Sequence, residues 1–482
     1  MSAITGIADE ARIAFDNIGD LAERLIASGV RLGVTGLSRS GKTVFVTALV
    51  HNLLHGGRLP VFEPFASGRI RRARLQPQPS MDVPRFQYED HVRQLVDERI
   101  WPQSTRAVAE LRLTVEYESA RFLGRTFGSG RLNIDLVDYP GEWLSDLSLL
   151  GADYRTWSEN TLQIAGESRR KRHAEPFLKA AAAIDATAPA DEEIARNLAR
   201  EFTGYLAACR DDERILVAQP PGRFLLPGDL EGSPALTFCP LAEPENDAAG
   251  SLYRLVSDRF DAYKRHVAMP FFRKHFARLD RQIVLVDALQ AINAGPEALR
   301  ELQAALANIL SCFRPGRGNI LSAIFGPRID RILFAATKAD HLHHEMHDRL
   351  EAVLQHLVQE ATGRARFTGA EVAAMAIAAV RATKEATVRE DGSELPVIVG
   401  TPIAGETIDG KKFDGEKRTA IFPGDLPADP RRLFSSSTNP PALRFVRFRP
   451  PEQETTSAGL RLSLPHIRLD RAMQFLFADK LA

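Results

Sequence analysis

The sequence predicts an α/β fold in which a mostly parallel sheet carries helices on both faces. Apolar runs that are typical of buried strands alternate with helical periodicity, first over 30–54 and again over 282–380. A glycine-rich turn directly follows the first strand, "VRLGVT", and leads into the helical run "VFVTALVHNLL". Because parallel strands need crossover connections, this alternation indicates a parallel sheet.

The length of 482 residues indicates two or three domains. We expect an N-terminal helix over 1–29 and a core that is split into two halves, 30–145 and 282–392. Recurrent helical segments predict a mainly helical insertion at 146–281, between the two halves. Alternating apolar residues and Pro-rich loops then predict a β-rich C-terminal extension at 393–482, which ends in a helix.

Three stretches are predicted to lie at the surface. Residues 56–84 are rich in Pro, Gly and Arg and are expected to form a long irregular insertion. The basic runs "RIRRAR" (69–74) and "SRRKRH" (168–173) are expected to be solvated. Over the whole chain, 62 Lys and Arg residues balance 62 Asp and Glu residues. Since this balance gives no overall field that would attract nucleic acid or an anionic membrane, we expect no nucleic-acid partner.

The cysteines and the apolar runs indicate the cellular compartment. Cys209, Cys239 and Cys312 are widely spaced and odd in number, which favours a reducing compartment over a disulfide framework. The N-terminus contains acids and lacks the apolar core of a signal peptide. No apolar run approaches the roughly 20 residues that span a bilayer. The sequence therefore predicts a cytoplasmic protein without a transmembrane segment, whose contact with a membrane would be peripheral.

The turn after the first strand, "GLSRSGKT", has the form G-x-x-x-x-G-K-[ST]. Its glycines let backbone N–H groups approach phosphate oxygens, since no Cβ is in the way. We expect Lys42 to contact the β- and γ-phosphates and the Thr43 hydroxyl to bind Mg²⁺, while the next helix directs its positive N-terminus at the same phosphates. The predicted phosphate-binding residues are Gly36, Ser38, Arg39, Ser40, Gly41, Lys42 and Thr43.

A second motif, D-x-x-G, ends the apolar strand in "IDLVDYPGEW". Asp138 is placed to support Mg²⁺ through water, and the Gly141 N–H is placed to contact the γ-phosphate. Contact with the γ-phosphate would make this segment a nucleotide-dependent switch. Alone the motif is common in turns, but its position at a strand end after a phosphate loop favours the functional interpretation.

A third motif, "ATKAD", follows the predicted strand "RILFA" and distinguishes between nucleotide bases. Asp340 can accept hydrogen bonds from guanine N1–H and from the 2-amino group, two donors that adenine lacks in that arrangement. Thr337 and Lys338 belong to the same motif, and the stem of Lys338 can cover the plane of the base. The motif therefore favours GTP over ATP, although a lone T-K-x-D would fit a solvent-facing strand end as well.

Two weaker signals complete the predicted site. Ala379 and Val380 lie in a run of small residues after another strand, where a backbone N–H could contact the guanine oxygen. Thr105 in "WPQST" is predicted to complete the Mg²⁺ coordination from a first switch, and Ser104 is nearly as eligible. Thr105 could equally serve as a helix cap or a turn residue.

The segments "GLSRSGKTVFVTALVHNLL", "LVDYPGEW" and "ATKAD", separated by a large helical insertion, resemble the bacterial YcjX-like family of P-loop GTPases. The resemblance covers nearly the whole chain. It implies a Ras-like P-loop NTPase core, an insertion similar to that of heterotrimeric G-protein α subunits, and GTP and GDP as ligands. It also implies a role in the bacterial stress response. The effector is unknown, and a membrane-associated partner would place the protein peripherally at the inner membrane.

The chain departs from the usual guanine-binding pattern at two positions. Thr337 replaces the asparagine of N-K-x-D, a change that dynamin-like GTPases tolerate. Glu142 stands where small Ras-like GTPases carry the glutamine that orients the attacking water. The leading hypothesis is a regulatory GTPase with slow hydrolysis. A P-loop ATPase and a nucleotide-binding scaffold without turnover are the alternatives.

Arg39 lies inside the phosphate loop, where the Ras-like pattern often has glycine. Guanylate-binding proteins and atlastins have loops of similar form and use this arginine as an internal finger. A guanidinium there would neutralise charge that builds on phosphate oxygens in the transition state. The alternatives are that Arg39 points to solvent or pairs with an acid of the insertion, and that Arg99 is the finger. The predicted catalytic residues are Arg39, Lys42, Thr105 and Glu142.

The run "HLHHEMH" (341–347) raises the possibility of a metal site. His343 and His347 are four residues apart and would share one face of a helix. The order is not H-E-x-x-H, and no third ligand is evident. A solvated helix start is the favoured interpretation.

Overall fold

The computed structural model describes residues 29–37, 39–103, 107–120, 130–212, 214–217, 219–246, 248–311, 329–359, 362–363, 369–390, 393–435, 443–452 and 463–482. Several predictions fall on other positions and so lie outside the described residues. They concern the N-terminal helix and the side chains of Ser38, Ser104, Thr105 and Cys312.

The main sheet is built from strands β1 to β7. In chain order they are Gly29–Gly36, Ile70–Gln76, Ala109–Tyr117, Gly130–Asp138, Arg281–Val286, Arg331–Ala336 and Glu371–Ala376. Within the described residues they form one sheet in the order β2-β3-β4-β1-β5-β6-β7. β1 pairs in parallel with β4 and β5, and the parallel pairing continues through β6 to β7. Within this described sheet the antiparallel pairs are β2 with β3 and β3 with β4, so the sheet is mostly parallel, which confirms the predicted α/β class.

Helices α1 to α13 follow the chain order. They are Lys42–Leu54, Glu63–Ala66, Tyr88–Arg93, Gly141–Ser145, Tyr154–Ala165, Ser168–Ala182, Glu192–Asp211, Leu252–Tyr263, Met269–His275, Ala288–Ala294, Pro296–Ser311, His347–Leu357 and Leu469–Phe477. Helices cover both faces of the sheet. Since successive side chains of a strand point to opposite faces, each strand contributes to two cores. In β5, Ile283 and Leu285 join the core with α1 and α13, whereas Val284 and Val286 join the core with α10 to α12.

The stretch 56–84 is not wholly irregular, so that prediction was wrong. It contains α2 and the edge strand β2, which the basic composition concealed. Arg72 Nε lies 2.7 Å from a Glu116 oxygen on β3, so opposite charges pair across the two strands. Arg69 is buried and pairs with Glu63, which shows that this basic run is not simply solvated.

In the region 146–281, α5 to α8 surround an aromatic core of their own, whereas α9 packs against the end of β4 and α4. The rings of Trp157 and Phe260 stack there with centroids 4.9 Å apart. Arg170, predicted to be solvated, is only 2% exposed, and its Nη1 lies 2.9 Å from a Glu301 oxygen on α11. The buried guanidinium therefore joins this region to the main sheet's helices. Cys209 is a buried, free thiol.

The C-terminal part contributes a small sheet and one core helix. Strands β8 to β12 are Lys384–Glu390, Ser393–Gly400, Thr407–Ile408, Lys411–Lys412 and Thr419–Ile421. Within the described residues, β8, β9 and β12 form a three-stranded sheet, which begins at Lys384 and so ahead of the predicted boundary at 393. Helix α13 packs into the core beneath β1. Arg281, which is 0% exposed, binds Asp330 and Asp479 and fastens the end of α13 to the sheet.

Crossing a bilayer requires a helix that is both long and apolar. In the part of the chain that the structure describes, no helix has both properties.

Candidate functional site

The sequence motifs meet at one edge of the main sheet. Because β1, β4, β5, β6 and β7 are parallel, their carboxyl ends share this edge, which is where ligands bind in open α/β sheets. The phosphate loop follows β1, and Asp138 ends β4. Thr337 follows β6, and Ala378 comes after β7. The structure therefore brings together residues that are far apart in the sequence.

The phosphate loop has the backbone that its glycines predict. A Cβ at Gly36 would lie 2.5 Å from the Leu285 carbonyl oxygen and from Ser40 Oγ, so only glycine fits there. Gly41 has a φ of 88° and is the N-cap residue of α1, which means that the cap has no side chain to accept the first N–H groups of the helix. Ser40 Oγ is buried and has no hydrogen-bond partner within the described part of the chain. The loop thus presents donors of the kind that bind phosphate oxygens.

Lys42 lies at the base of this loop and is buried. Its Nζ donates to the carbonyl oxygens of Gly36 and Leu37, both at 3.0 Å. Burial lowers the pKa of Lys42, and the charges of Asp138 and Glu142 oppose that shift. The structure thus groups the loop lysine with the two predicted acids. Gly141 is also buried and begins the short helix α4, directly before Glu142.

The oxygen atoms around Lys42 form a donor set that suits Mg²⁺. Thr43 offers a hydroxyl at the start of α1, and Asp138 offers a carboxylate at the end of β4, where it is 1% exposed. Mg²⁺ prefers hard oxygen ligands and keeps several waters, so one carboxylate and one hydroxyl beside bound phosphates are sufficient. The residues present therefore fit the ion.

The "TKAD" segment lies at the carboxyl end of β6 and is firmly held. Asp340 is 4% exposed, and its Oδ2 accepts a hydrogen bond from the Ala382 N–H at 2.8 Å. The Thr337 N–H donates to the Val286 carbonyl at 2.9 Å. Lys338 has a left-handed backbone with φ of 60° and its ammonium pairs with Asp287 at the end of β5. These contacts fix the carboxylate of Asp340 at the rim of the cavity described below.

His347 supports the same loop, which corrects the prediction of a solvated helix start. It is 4% exposed, and its Nε2–H donates to the carbonyl of Ala339 at 2.9 Å. Burial lowers the pKa of His347, so the neutral ring is favoured. His343 and His344 instead lie beside Glu345, with one ligand atom of each within 4.8 Å of the others. His344 Nδ1 is 2.7 Å from Glu385, a residue of the small C-terminal sheet.

A cavity of about 660 Å³ joins the phosphate loop to the "TKAD" segment. It is large enough for a ligand the size of a nucleotide. Of the predicted residues, those that line it are Arg39, Ser40, Gly41, Lys42, Thr43, Thr337, Lys338, Asp340, Ala379 and Val380. Gly36, Asp138, Gly141 and Glu142 do not line the cavity, although the charges of Asp138 and Glu142 act on Lys42. Two segments that were not predicted also line it, 101–103 and 445–448.

The two candidate arginine fingers differ in what they contact. Arg39 is exposed, has a φ of 63° and makes no ion pair with another described residue. It also borders a smaller cavity between the phosphate loop and Arg210 of the helical region. The Nη1 of Arg99 lies 2.8 Å from Glu452, and its Nε donates to the Pro450 carbonyl at 3.2 Å. In this structure Arg99 is therefore engaged with the C-terminal extension.

The segment after the D-x-x-G motif is clamped by the loop 219–226 of the helical region. A Cβ at Gly222 would lie 1.9 Å from the carbonyl oxygen of Glu142, so the two backbones are in direct contact. Asp146 accepts hydrogen bonds from the Gly222 N–H at 2.6 Å and from the Tyr263 hydroxyl at 2.7 Å. The guanidinium of Arg223 lies 3.3 Å from the centre of the Trp143 ring.

Several residues at the site had no clear signal in the sequence. Asp287 could have been found, because it ends a buried strand whose carboxyl end shares the edge of the sheet with the phosphate loop. Gly222 and Phe448 could not, since they reach the site only through contacts between distant parts of the chain. No local periodicity marks such contacts.

The sheet order, the phosphate loop after β1, the acid at the end of β4 and the "TKAD" segment after β6 define a Ras-like P-loop NTPase core. Comparison with known families gives a more specific assignment. The model of the YcjX-like family, DUF463, matches residues 30–481, and the chain belongs to that family.

Two relatives match over almost their whole length. The chain is 36% identical over 480 residues to the Ras-like GTPase YcjX of Escherichia coli (strain K12), covering 97% of this chain and 99% of the relative. It is 32% identical over 482 residues to the Ras-like GTPase YcjX of Shewanella oneidensis (strain MR-1), covering 96% of each.

Proposed function

We propose that this chain binds GTP and hydrolyses it slowly to GDP and phosphate, as a nucleotide-dependent switch. The observation that carries the proposal is the position of Asp340, whose buried carboxylate lines the same cavity as Lys42 of the phosphate loop. The names of the two relatives, each called a Ras-like GTPase, support the same activity.

The phosphate half of the site would bind the triphosphate through Lys42 and the N–H groups of the loop. Lys42 is buried, donates to two carbonyl oxygens and lies near two acids. When phosphates bind, its ammonium would donate to charged phosphate oxygens instead of the neutral carbonyl oxygens. Arg39 would neutralise charge that develops on the phosphate oxygens during hydrolysis. The Gly141 N–H would contact the γ-phosphate. Glu142, the next residue in the sequence, would orient the attacking water.

Thr43 and Asp138 would hold Mg²⁺, with Thr105 as the proposed third contributor. The ion would neutralise phosphate charge during transfer to water. The catalytic arrangement is therefore expected to depend on the oxygen donors at the ends of β1 and β4.

The base half of the site would select guanine. The Asp340 carboxylate uses one oxygen for the Ala382 N–H and retains further lone pairs for the two donors of guanine. The Lys338 stem would cover the base, with its ammonium held by Asp287. The backbone at Ala379 and Val380 would contact the guanine oxygen. We propose the division 30–145, 146–281, 282–383 and 384–482 into domains, with the last boundary moved from 393 because β8 pairs with β9.

The decisive experiment measures GTP and ATP affinity side by side and then phosphate release. We expect the parent to bind GTP more tightly than ATP and to release phosphate slowly. Lys42→Ala should abolish tight binding of triphosphate while circular dichroism shows an intact fold. Unchanged GTP affinity in the folded variant would contradict the phosphate site.

Asp340→Asn is the matched test of base recognition. An amide offers a donor where guanine needs an acceptor, so GTP affinity should fall by about 1–3 kcal/mol and selectivity should shift toward xanthine nucleotides. ATP preference in the parent would favour an ATPase, and tight GTP binding without phosphate release would favour a scaffold.

Resemblance to the family supports a function in the bacterial stress response, in which an effector protein reads the bound nucleotide. A membrane-associated effector would bring the protein to the inner membrane peripherally. Co-purification of a partner with GTP-loaded but not GDP-loaded protein would test this role.

A further inference from the structure

The segment 445–448 of the C-terminal extension forms part of the wall of the nucleotide cavity. Backbone hydrogen bonds fix it to the end of β9 and the residues that follow. The Ile403 N–H donates to the Arg447 carbonyl, and the Arg449 N–H donates to the Thr401 carbonyl, both at 2.8 Å. The backbone of the wall is therefore fastened to the residues that follow β9, while the side chain of Phe445 packs against the apolar core on one face of the main sheet.

Phe448 contacts two separate parts of the nucleotide site. Its ring is 1% exposed and stands edge-on to the ring of His341, with centroids 5.4 Å apart. His341 directly follows Asp340. The Phe448 carbonyl accepts a hydrogen bond from Trp101 Nε1 at 2.6 Å. Trp101 and the next two residues line the same cavity, and they stand just before the predicted first switch at Thr105 in the sequence; 99–103 are called the first-switch side below.

Arg99 adds two further contacts between these regions. Its Nε donates to the Pro450 carbonyl at 3.2 Å, and its guanidinium pairs with Glu452, whose carboxylate side chain is 79% exposed. Exposed pairs of this kind contribute little, because solvent screens them. A carbonyl oxygen on a fully buried residue that loses its donor is more costly.

We propose that the extension positions the first switch for GTP, with Trp101 as the positioning residue and the Phe448 carbonyl as its anchor. This inference rests on the proposed function of the same site. The anchor contacts His341, which follows the residue that would read the base, and Trp101, which lies four residues before the predicted switch residue Thr105 in the sequence. Displacing the anchor would therefore weaken the binding of GTP, whose γ-phosphate would contact the first switch, more than the binding of GDP, which lacks that phosphate.

Trp101→Phe tests the proposal, because it retains an aromatic ring and removes the Nε1–H donor. GTP affinity should weaken by about threefold to tenfold, while GDP affinity should change by less than about twofold. Both affinities are measured by titration with fluorescent nucleotide analogues. A purely structural defect would weaken the affinity for both nucleotides by the same factor.

Trp157→Phe is the matched control. Trp157 Nε1 is buried in the helical region with no hydrogen-bond partner in the described part of the chain, so its removal should leave both affinities unchanged. If the parent does not bind GTP, the proposed function fails. If the parent binds GTP and Trp101→Phe keeps the same ratio of GTP to GDP affinity, this inference is wrong. It is also wrong if Trp157→Phe changes that ratio equally.

Discussion

The helical region and the C-terminal extension each hold one of the two segments that would respond to the nucleotide, but they use different contacts. The helical region holds the segment after D-x-x-G through Asp146, which is 2% exposed, and through the backbone contact of Gly222 with Glu142. The extension holds the first-switch side through a neutral bond from Trp101, a hydrogen bond from Arg99 to the Pro450 carbonyl, and an exposed ion pair of Arg99 with Glu452.

This difference indicates how easily each segment could move. Hydrogen bonds to a buried carboxylate contribute about 1.5–3 kcal/mol each, whereas a neutral bond contributes about 1 kcal/mol and an exposed ion pair less. The first-switch side should therefore detach at lower free-energy cost than the second. Movement of the second segment should displace the loop 219–226 along with it, so the helical region would sense the nucleotide directly.

The largest expected effect comes from breaking the backbone contact of the second segment. Gly222→Ala places a Cβ 1.9 Å from the Glu142 carbonyl oxygen, so one of the two backbones must shift. We expect a loss of about 4 kcal/mol in the free energy of unfolding, or a displaced loop with lowered GTP hydrolysis.

Gly204→Ala is its control, because Gly204 lies within α7 and a Cβ there would meet no atom within 4 Å. Alanine favours helices, so this variant should be neutral or slightly stabilised. Equal stability of the two variants in urea unfolding would show that the contact is not important.

The second-largest effect concerns Asp146, whose carboxylate can be charged, in contrast to the neutral hydrogen bond from Trp101. Burial raises the pKa of Asp146 to about 6 from its ordinary 3.8, although the hydrogen bonds from Tyr263 and Gly222 and the charge of Arg223 oppose the shift. The folded state therefore binds a proton more readily than the unfolded state. Its stability should rise as the pH falls through about 6 toward 4, by up to about 3 kcal/mol.

Asp146→Asn cannot titrate and lacks this contribution. Urea unfolding of both proteins between about pH 7.5 and pH 4.5 measures the difference in their free energies of unfolding. The contributions of the buried histidines cancel in this difference, because both proteins carry them. The contribution of Asp146 is present at low pH and lost as the pH rises through about 6. Parallel pH profiles would contradict the assignment.

The smallest effect concerns catalysis at Arg39 of the phosphate loop. Arg39→Ala should slow GTP hydrolysis at saturating nucleotide by at least roughly tenfold, about 1.4 kcal/mol in activation free energy, with little change in GDP affinity. Arg99→Ala, measured in parallel, should hydrolyse GTP at the parent rate, because Arg99 is paired with the extension. A slow Arg99→Ala beside a normal Arg39→Ala would assign the finger to the first-switch side.

The parts of the site that depend on local sequence were predictable. The phosphate loop, Asp138 and the "TKAD" segment each combine a strand end with residues at fixed spacing, and strand order then brings them to one edge. Arg39 could be located in the loop, but its exposure and its neighbour Arg210 could not. The side-chain environment comes from a region inserted much later in the chain.

The parts that depend on distant contacts were not predictable. β2 was missed because its charges are neutralised by Glu116 on a neighbouring strand, and sequence alone does not reveal that pairing. His347 was expected in solvent, yet it supports the Ala339 carbonyl from the first turn of α12. The roles of Gly222 and Phe448 depend on main-chain atoms, which every residue carries, so no residue type signals them.

Helix α13 has a consequence for protein synthesis. It lies in the core with β1, and the adjoining Ile467 exchanges backbone hydrogen bonds with Ala378 beside the proposed base site. Arg281 cannot gain Asp479 as a partner until that residue has left the ribosome. The first strand thus emerges long before the helix that covers it. A nascent chain would therefore expose the apolar surface that α13 covers until that helix has been synthesised, and chaperones should protect it during this time.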